Sequence, residues 1–329
     1  MILDIWYRKK LPIYLWPLIP LSWIYLIIIT IRKKLYKLGI FRIKKVSLPV
    51  IIVGNVTVGG TGKTPLVMHI YELLKQRGLR PGIISRGYKG KRSGLATVWV
   101  DNRSLTADVG DEAILLFKKL NCPLVVSKNR LRAARRLLDS GQVDVIIADD
   151  GLQHYGLARD IEIAVLDGER QFGNGHCLPL GPLREPIMRL NSVDLKVVNG
   201  QGFGKDGYDM ELKPLPLHNA VQPNFYQELI DFRDKTVHAV AGIGHPERFF
   251  QMLRNYHISV IPHAFPDHYF FRSEDIHFKD NLPVIMTEKD AVKCKELMTS
   301  RHWILPVRGV LNPLFDARLV VMLQEVMNG

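Results

Sequence analysis

The chain contains few cysteines, and this shortage argues against the classes of protein that depend on disulfides or bound zinc. Only Cys122, Cys177 and Cys294 occur, far apart and without a CxxC pair. Such spacing argues against a disulfide framework or a zinc site and is typical of small buried residues in a reducing compartment. No small-residue cleavage site follows the first apolar stretch. The sequence therefore does not predict a signal peptide at the N-terminus.

Acidic residues are scarce at the N-terminus. The 329 residues include 45 Lys or Arg and 32 Asp or Glu, a formal net charge of +13. Residues 1–45 hold ten of the basic residues and a single acid, Asp4. A nucleic-acid binder would more often carry its basic residues on the folded domain. The distribution therefore predicts an anionic lipid or phosphorylated partner and no nucleic acid.

The N-terminal segment combines an apolar stretch with two basic flanks. No charged residue lies between Leu11 and Ile31. The flanks are Arg8-Lys9-Lys10 and Arg32-Lys33-Lys34. About 20 apolar residues can span a bilayer, but three prolines interrupt the first half and both flanks are positive, whereas a span favours one. We predict a membrane-surface helix within residues 1–45, with a transmembrane span or a buried core helix as the alternatives.

The rest of the chain alternates short apolar runs with helical patterns. Strands are predicted at Val46–Val53, Pro81–Ser85, Pro123–Ser127, Val143–Ala148, Ile161–Leu166, Leu195–Val198, Thr236–Ala241, His257–Pro262, Val284–Thr287 and Trp303–Val307. Helices are predicted at Lys63–Arg77, Asp111–Leu120, Arg130–Ser140, Pro246–Asn255, Lys289–Thr299 and Pro313–Met327. This alternation predicts an α/β fold with a parallel sheet. We expect a core domain over residues 46–190 and a smaller α/β domain over residues 191–329 that closes a cleft.

A glycine-rich loop is the strongest motif in the chain. Gly59-Gly60-Thr61-Gly62-Lys63-Thr64 follows a predicted strand and opens a predicted helix, as in a P-loop. Its backbone amides and the helix N-terminus would bind phosphates, Lys63 would reach the β- and γ-phosphates, and the Thr64 hydroxyl would ligate Mg²⁺. Thr57 stands where the strict pattern has glycine. We predict a P-loop NTPase-like core that binds ATP, with Thr57 included in the nucleotide site.

Paired aspartates end another apolar run. Asp149 and Asp150 follow Val-Ile-Ile-Ala, an arrangement that brings carboxylates beside a P-loop to hold Mg²⁺. The alternative is a pair of turn-forming residues.

Asp111, Glu112 and His268 are weaker candidates by pattern. Acids at a helix start, such as Asp111 and Glu112, usually cap the helix, and His268 is one of eleven histidines. Asp111 stays a candidate because a kinase needs a carboxylate near the acceptor hydroxyl. Thr287-Glu288-Lys289-Asp290 has the wrong order for a guanine-reading motif, so guanine specificity is not predicted.

Eight ordered motifs together resemble one family, the tetraacyldisaccharide 4'-kinases of lipid A biosynthesis. They are Val-Gly-Asn-Val-Thr-Val-Gly-Gly-Thr-Gly-Lys-Thr-Pro at 53–65, Ser-Arg-Gly-Tyr at 85–88, Val-Gly-Asp-Glu at 109–112, Asp-Asp-Gly-Leu-Gln-His at 149–154, Gly-Asn-Gly at 173–175, Leu-Gly-Pro-Leu-Arg-Glu-Pro at 180–186, Phe-Pro-Asp-His at 265–268 and Thr-Glu-Lys-Asp-Ala-Val-Lys at 287–293. The resemblance implies ATP-dependent phosphorylation of the 4'-hydroxyl of a tetraacylated glucosamine disaccharide 1-phosphate, giving lipid IVA. A membrane-associated P-loop switch ATPase is the alternative.

The resemblance also implies residue roles and a location. Asp111 matches the general base, and His268 matches the histidine that pairs with it. Lys63 keeps its P-loop role, while Asp149 and Asp150 keep their metal-side roles. The implied location is the cytoplasmic face of the inner membrane of a Gram-negative cell, with peripheral attachment to an anionic surface. No obligate protein partner is inferred.

Overall fold

Two sheets organise the chain. The computed structural model describes residues 5–8, 11–91, 94, 96–201 and 207–329, so Lys9 and Lys10 of the first basic flank lie outside the described residues. One sheet has nine strands and the other has six. The predicted α/β fold with a parallel sheet is confirmed.

Fifteen strands are present in the described part of the chain. They are β1 (Val50–Gly54), β2 (Pro81–Ser85), β3 (Val98–Trp99), β4 (Leu124–Val126), β5 (Val145–Asp149), β6 (Ile161–Asp167), β7 (Leu195–Asn199), β8 (Tyr208–Pro214), β9 (Leu217–Asn219), β10 (Tyr226–Gln227), β11 (Thr236–Ala241), β12 (Ser259–Ala264), β13 (Val284–Thr287), β14 (His302–Leu305) and β15 (Val307–Leu311). The nine-stranded order is β15-β8-β7-β6-β1-β5-β2-β4-β3, and the six-stranded order is β10-β9-β14-β13-β11-β12. Only the outer strands β15, β3, β9 and β10 pair antiparallel within these sheets.

The α-helices connect and cover the strands. They are α1 (Ile19–Lys37), α2 (Lys63–Gln76), α3 (Thr106–Val109), α4 (Asp111–Leu120), α5 (Arg130–Leu138), α6 (Pro246–Asn255), α7 (Ser273–Ile276), α8 (Glu288–Ala291) and α9 (Pro313–Asn328). Short 3-10 helices lie at Ile13–Leu18, Ile187–Ser192, Leu229–Phe232 and Lys295–Leu297. Local sequence determines where several helices begin. The Asn129 side chain accepts a hydrogen bond from the backbone N–H of Arg132 and caps α5, and Pro246 and Pro313 occupy the first positions of α6 and α9.

The large sheet, with its helices, is called here the first lobe. It buries one core under α2, α4 and α9 and another under α5 on the opposite face. The six-stranded sheet, with α6 to α8, is the second lobe and has its own two cores. Both sheets are therefore covered on both faces, as parallel strands require.

The sheets divide the chain later than residue 190. Strands β7 and β8, expected in the second domain, belong to the large sheet. After the second lobe the chain returns to the first lobe through β15 and α9, where Phe315 is fully buried. The boundaries predicted for the domains stay a prediction, but these four elements pack with the first lobe.

One predicted helix is wrong. Residues 289–299 do not form a single helix, because α8 ends at Ala291 and only a 3-10 turn follows at Lys295–Leu297. At Cys294 the backbone leaves the helical region, with φ −122° and ψ 23°. The Asp290 carboxylate accepts from the Thr287 hydroxyl and from the backbone N–H of Gly242 instead of facing solvent. These tertiary bonds compete with continuation of the helix.

The N-terminal helix is longer than the proline pattern indicates. Pro17 lies within a 3-10 turn and Pro20 lies in the first turn of α1, where no intrahelical N–H bond is lost. The segment Ile13–Lys37 is long and apolar enough to cross a membrane. An 18-residue window within it has a mean hydropathy of 1.8, and 11% of this window is buried in the protein. Length and composition alone do not distinguish a span from a surface helix.

The C-terminal helix should be essential to the first lobe. We expect Phe315→Ala to lower the free energy of unfolding by about 3–5 kcal/mol, because the ring is fully buried and its removal leaves a cavity. Leu314→Ala is the matched control, since Leu314 is 68% exposed and should cost little. Urea unfolding of both variants measures the difference, and an equal loss would contradict this packing.

Candidate active site

The glycine-rich loop joins β1 to α2 in a conformation that glycine permits. Gly59 and Gly62 have φ values of +108° and +95°, a region that other residues rarely adopt. A Cβ on Gly62 would lie 2.5 Å from the side-chain nitrogen of Asn199. The loop can therefore direct backbone N–H groups toward an anion at the start of α2.

Side chains from three segments hold this loop. Asn199 donates to the carbonyl of Thr61 at 3.1 Å, and Gln153 donates to the carbonyl of Asn55 at 3.0 Å. The ammonium of Lys63 lies 3.3 Å from the side-chain oxygen of Asn55 and 3.5 Å from Asp150 Oδ1. Thr57 is buried and bridges to Leu183, so the residue that departs from the strict pattern supports the loop from behind.

Asp149 lies behind the loop at the end of β5. The register pairs it with Val53 of β1, which places its carboxylate beside the P-loop. Asp149 is 1% exposed; Ser85 Oγ lies 3.3 Å from its Oδ2, and its Oδ1 has no hydrogen-bond partner among the described residues. Burial raises its pKa, and the negative charges of Glu112 and Asp150 raise it further.

Asp150 faces the cleft and is ion-paired. Arg184 Nη1 lies 3.0 Å from both of its carboxylate oxygens. Burial opposes ionisation, but Lys63 and Arg184 outweigh it and lower the pKa of Asp150 well below its usual range. Beneath the pair, Arg130 donates to the backbone carbonyls of Asp149 and Asp150. Asp150 is therefore a carboxylate at neutral pH.

Asp111 and His268 meet across the two lobes. Asp111 begins α4 in the first lobe, and His268 lies in the loop after β12 in the second. His268 Nδ1 lies 2.8 Å from Asp111 Oδ2 and 2.9 Å from Oδ1. Burial would raise the pKa of Asp111, but the hydrogen bond from His268 and the charge of Lys289 hold it at about 2. This is a carboxylate–imidazole pair at the cleft, although Asp111 itself is only 6% exposed.

Arg170 joins the second lobe to the P-loop. It donates to the carbonyl of Gly244 at 2.7 Å and to that of Gly60 at 3.1 Å. Asp167, at the end of β6, bonds both Arg170 and Arg248 of α6. Asp167 also forms a cluster with Glu169 and His245 that could hold a cation. Arg170 and Arg248 already neutralise Asp167. We therefore interpret the cluster as a set of ion pairs that connects the two lobes.

One cleft connects these groups. It has a volume of about 700 Å³. Its lining includes Lys63 and Thr64, Asp150 and Arg184, and His268. Tyr25, Ile29 and Arg32 of α1 line the same cleft. Side chains of the P-loop, His268 and helix α1 therefore share one cavity.

Comparison with known proteins identifies the family. A family model described as tetraacyldisaccharide-1-P 4'-kinase matches residues 14–324. The tetraacyldisaccharide 4'-kinase of Nitrosococcus oceani is 45% identical over 99% of this chain and 95% of its own, and that of Coxiella burnetii is 47% identical over 90% and 87%. The chain belongs to the tetraacyldisaccharide-1-P 4'-kinase family. The family resemblance predicted from the motifs is confirmed.

A solved structure supports the same assignment. The crystal structure of LpxK from Aquifex aeolicus in complex with ATP superposes with a TM-score of 0.78 at 29% identity, covering 94% of this chain and all of that one. The 4'-kinase described here is thus an enzyme of lipid A biosynthesis that acts on a lipid disaccharide phosphate. The alternative of a switch ATPase gains no support from these comparisons.

Several groups in the 4'-kinase cleft escaped the sequence reading. Arg170, Gly244 and Arg248 have no role in the sequence-based prediction. Lys289 enters that prediction only within the wrongly ordered guanine motif and the motif at 287–293, without a role of its own. A signal existed for Gly244, since Gly242-Ile243-Gly244 lies between a strand and a helix as the P-loop does. Arg170 and Arg248 carried no local signal, because their partners lie far away in the chain.

A side chain at residue 244 should separate the lobes. A Cβ on Gly244 would lie 2.0 Å from the backbone nitrogen of Gly60, so the P-loop or the second lobe must shift. We expect Gly244→Ala to raise the KM for ATP by at least about tenfold, which is about 1.4 kcal/mol of lost binding. Gly156→Ala is the control, since its Cβ would meet only Tyr36 Oη at 3.4 Å. Equal kinetics in both variants would contradict the contact.

Proposed function

We propose that this protein transfers the γ-phosphoryl group of ATP to the 4'-hydroxyl of a tetraacylated glucosamine disaccharide 1-phosphate, giving lipid IVA. The observation that carries the proposal is the shared cleft, which is lined by the P-loop, by His268 with Asp111 hydrogen-bonded behind it, and by an apolar N-terminal helix. We propose no obligate protein partner for this transfer.

The nucleotide phosphates would bind at the P-loop. Residues from Gly59 to Thr64 offer backbone N–H groups at the N-terminus of α2, and Lys63 supplies a cation at the cleft. Apolar side chains in the same cleft offer a surface for the base: Met68, Phe249, Met252 and Leu305. The ATP complex of the Aquifex relative supports this nucleotide.

Thr64, Asp149 and Asp150 would hold Mg²⁺. These residues fit the ion because all three offer oxygen, and Asp149 Oδ1 is a buried carboxylate oxygen without a partner among the described residues. When bound, Mg²⁺ neutralises phosphate charge. Of the two carboxylates, Asp150 lines the cleft and is the more accessible.

Asp111 would act as the base that orients the sugar hydroxyl, with His268 holding it in place. A pKa of about 2 keeps Asp111 ionised at neutral pH, so it can accept a hydrogen bond from the acceptor. Such a carboxylate is a weak proton acceptor. Phosphoryl transfer tolerates this, because its loose transition state needs alignment and charge neutralisation more than an activated nucleophile. The hydroxyl proton can pass to Asp111 late in the reaction.

Helix α1 would lie on the membrane surface rather than cross it. Along its length it packs on the first lobe: Ser22 donates to the carbonyl of Cys177, Tyr25 donates to that of Arg184, and Tyr36 packs on Tyr155. Its other face exposes large apolar residues, namely Leu21, Trp23, Ile24, Ile27, Ile28 and Ile31. A spanning helix would draw the polar lobe into hydrocarbon. Because ATP is cytoplasmic, we place the enzyme at the cytoplasmic face of the inner membrane.

The first experiment follows lipid mass in detergent micelles with Mg·ATP and the tetraacyldisaccharide 1-phosphate. We expect a gain of one phosphate, which is lost in Lys63→Ala. Asp111→Asn should lower kcat by about 10²–10⁴-fold, the range for a positioned general base. Asp108→Asn is the matched control, because Asp108 lies three residues earlier in α3 and has no assigned role.

Two outcomes would overturn these assignments. If ATP is hydrolysed while the lipid mass stays unchanged, the chain is not the 4'-kinase proposed here. If Asp111→Asn keeps full kcat, another group receives the proton and Asp111 serves only to begin α4.

Membrane binding should depend on the exposed face of α1 and on charge. We expect Trp23→Asp combined with Ile27→Asp to abolish flotation with vesicles that contain phosphatidylglycerol, because both side chains are exposed apolar groups. Leu314→Asp, at an exposed site on α9, should float like the wild type. Salt or phosphatidylcholine alone should weaken binding. Extraction only by detergent, not by salt or carbonate, would instead indicate a span.

A further inference from the structure

Lys289 lies between the sequence neighbours of Asp111 and His268. It occupies the first turn of α8, directly after β13. Its ammonium lies 2.8 Å from Glu112 Oε1 and 3.1 Å from Asp267 Oδ1. Glu112 follows Asp111 on α4, and Asp267 precedes His268 in the loop after β12. One cation therefore contacts the residue next to each member of the proposed catalytic pair.

This contact spans the two lobes. Glu112 belongs to the first lobe, whereas Asp267 and Lys289 belong to the second. His268 adopts φ +59°, a conformation that is uncommon outside glycine. A residue held this way needs support from its surroundings. The Glu112–Lys289–Asp267 bridge supplies that support on one side, and the Tyr88 ring, 4.9 Å from the imidazole, lies against His268.

Lys289 offsets part of the negative charge around Asp111. The groups that face this carboxylate are Glu112 on α4, Asp267 and His268 in the loop, and Lys289 and Lys293 at and after α8. Burial alone would lower the pKa of Lys289, but the carboxylates of Glu112, Asp267 and Asp111 outweigh it and raise the pKa. Lys289 is thus an ammonium across the working pH range.

We propose that Lys289 is a positioning residue for phosphoryl transfer, which seats the His268 loop on the first turn of α4 and keeps Asp111 in its ionised form. The proposal rests on the assignment of Asp111 as the base under the proposed function. Lys289 lines the cleft, but two carboxylates occupy its ammonium and its side chain is only 16% exposed. This arrangement favours a role through the pair over direct contact with a phosphate.

The test is Lys289→Met in the full-length enzyme. We expect kcat to fall by about 10²-fold, within the range for a misplaced acid–base group, while the KM for ATP stays within about twofold. The ratio of the variant's kcat/KM to that of the wild type should stay constant near neutral pH and fall only at the acid end of the profile, below about pH 5. The reason is that loss of a nearby cation raises the pKa of Asp111. Taking the ratio removes ionisations of the substrates, and Lys289→Arg should restore the wild-type profile at low pH.

A matched control separates this role from general docking of the lobes. Lys119→Met removes another ion pair between the lobes, the one between Lys119 of α4 and Glu288 of α8. We expect Lys119→Met to leave the pH profile unchanged. Equal pH shifts in Lys119→Met and Lys289→Met would show that any inter-lobe ion pair has this effect, and the proposal would fail.

Asp267→Asn provides a second route if Lys289→Met folds poorly. It removes one partner of Lys289 and leaves the cation in place, so we expect a smaller fall in kcat in the same direction. The double variant should be no worse than Lys289→Met alone. Multiplying effects, or a raised KM for ATP in Lys289→Met with an unchanged pH ratio, would make Lys289 a phosphate ligand instead. Full activity in Asp111→Asn would overturn the base assignment itself, a separate failure.

Discussion

The cleft exists because the second lobe rests on the P-loop through backbone atoms. A Cβ on Gly60 would lie 3.3 Å from Gly244 Cα and N, and Arg170 joins the carbonyls of both glycines. The backbone amides of the P-loop must stay free to bind phosphate. The residue that packs against the outside of the loop therefore has to be small, and Gly244 meets this need because it has no side chain. The rest of the site depends on this contact, since it sets how far the second lobe can carry His268 toward Asp111.

Ion pairs also join the lobes, beside an apolar contact of Val292 with the core of the first lobe. Asp167 with Arg170 and Arg248 forms one polar seam beside the P-loop, and the Asp111–His268 pair with Lys289 forms another beside α4. The apolar cores lie separately on the faces of the two sheets. A largely polar contact of this kind is typical of interfaces between domains of one chain.

The sequence predicted what is local and missed what is distant. The P-loop and the Asp149-Asp150 strand end were readable because their chemistry depends on consecutive residues. Asp111 and His268 are 157 positions apart in the chain, and only the family resemblance predicts that they form a pair. Strands β8 and β15 escaped because an antiparallel edge alternates exposed and buried residues and carries charge. Arg170 and Lys289 look like solvated basic residues until partners from other segments are placed beside them.

The apolar N-terminal helix and the P-loop line one cavity. Tyr25 and Ile29 line the cleft from the inner face of α1, while its outer face is apolar and exposed. Tyr25 also donates to the carbonyl of Arg184, whose guanidinium pairs with Asp150. Helix α1 thus helps to place the arginine that pairs with Asp150. Under the proposed surface attachment of α1, a lipid headgroup would enter the cleft along this helix while its acyl chains stay in the bilayer, so the substrate would not have to cross water.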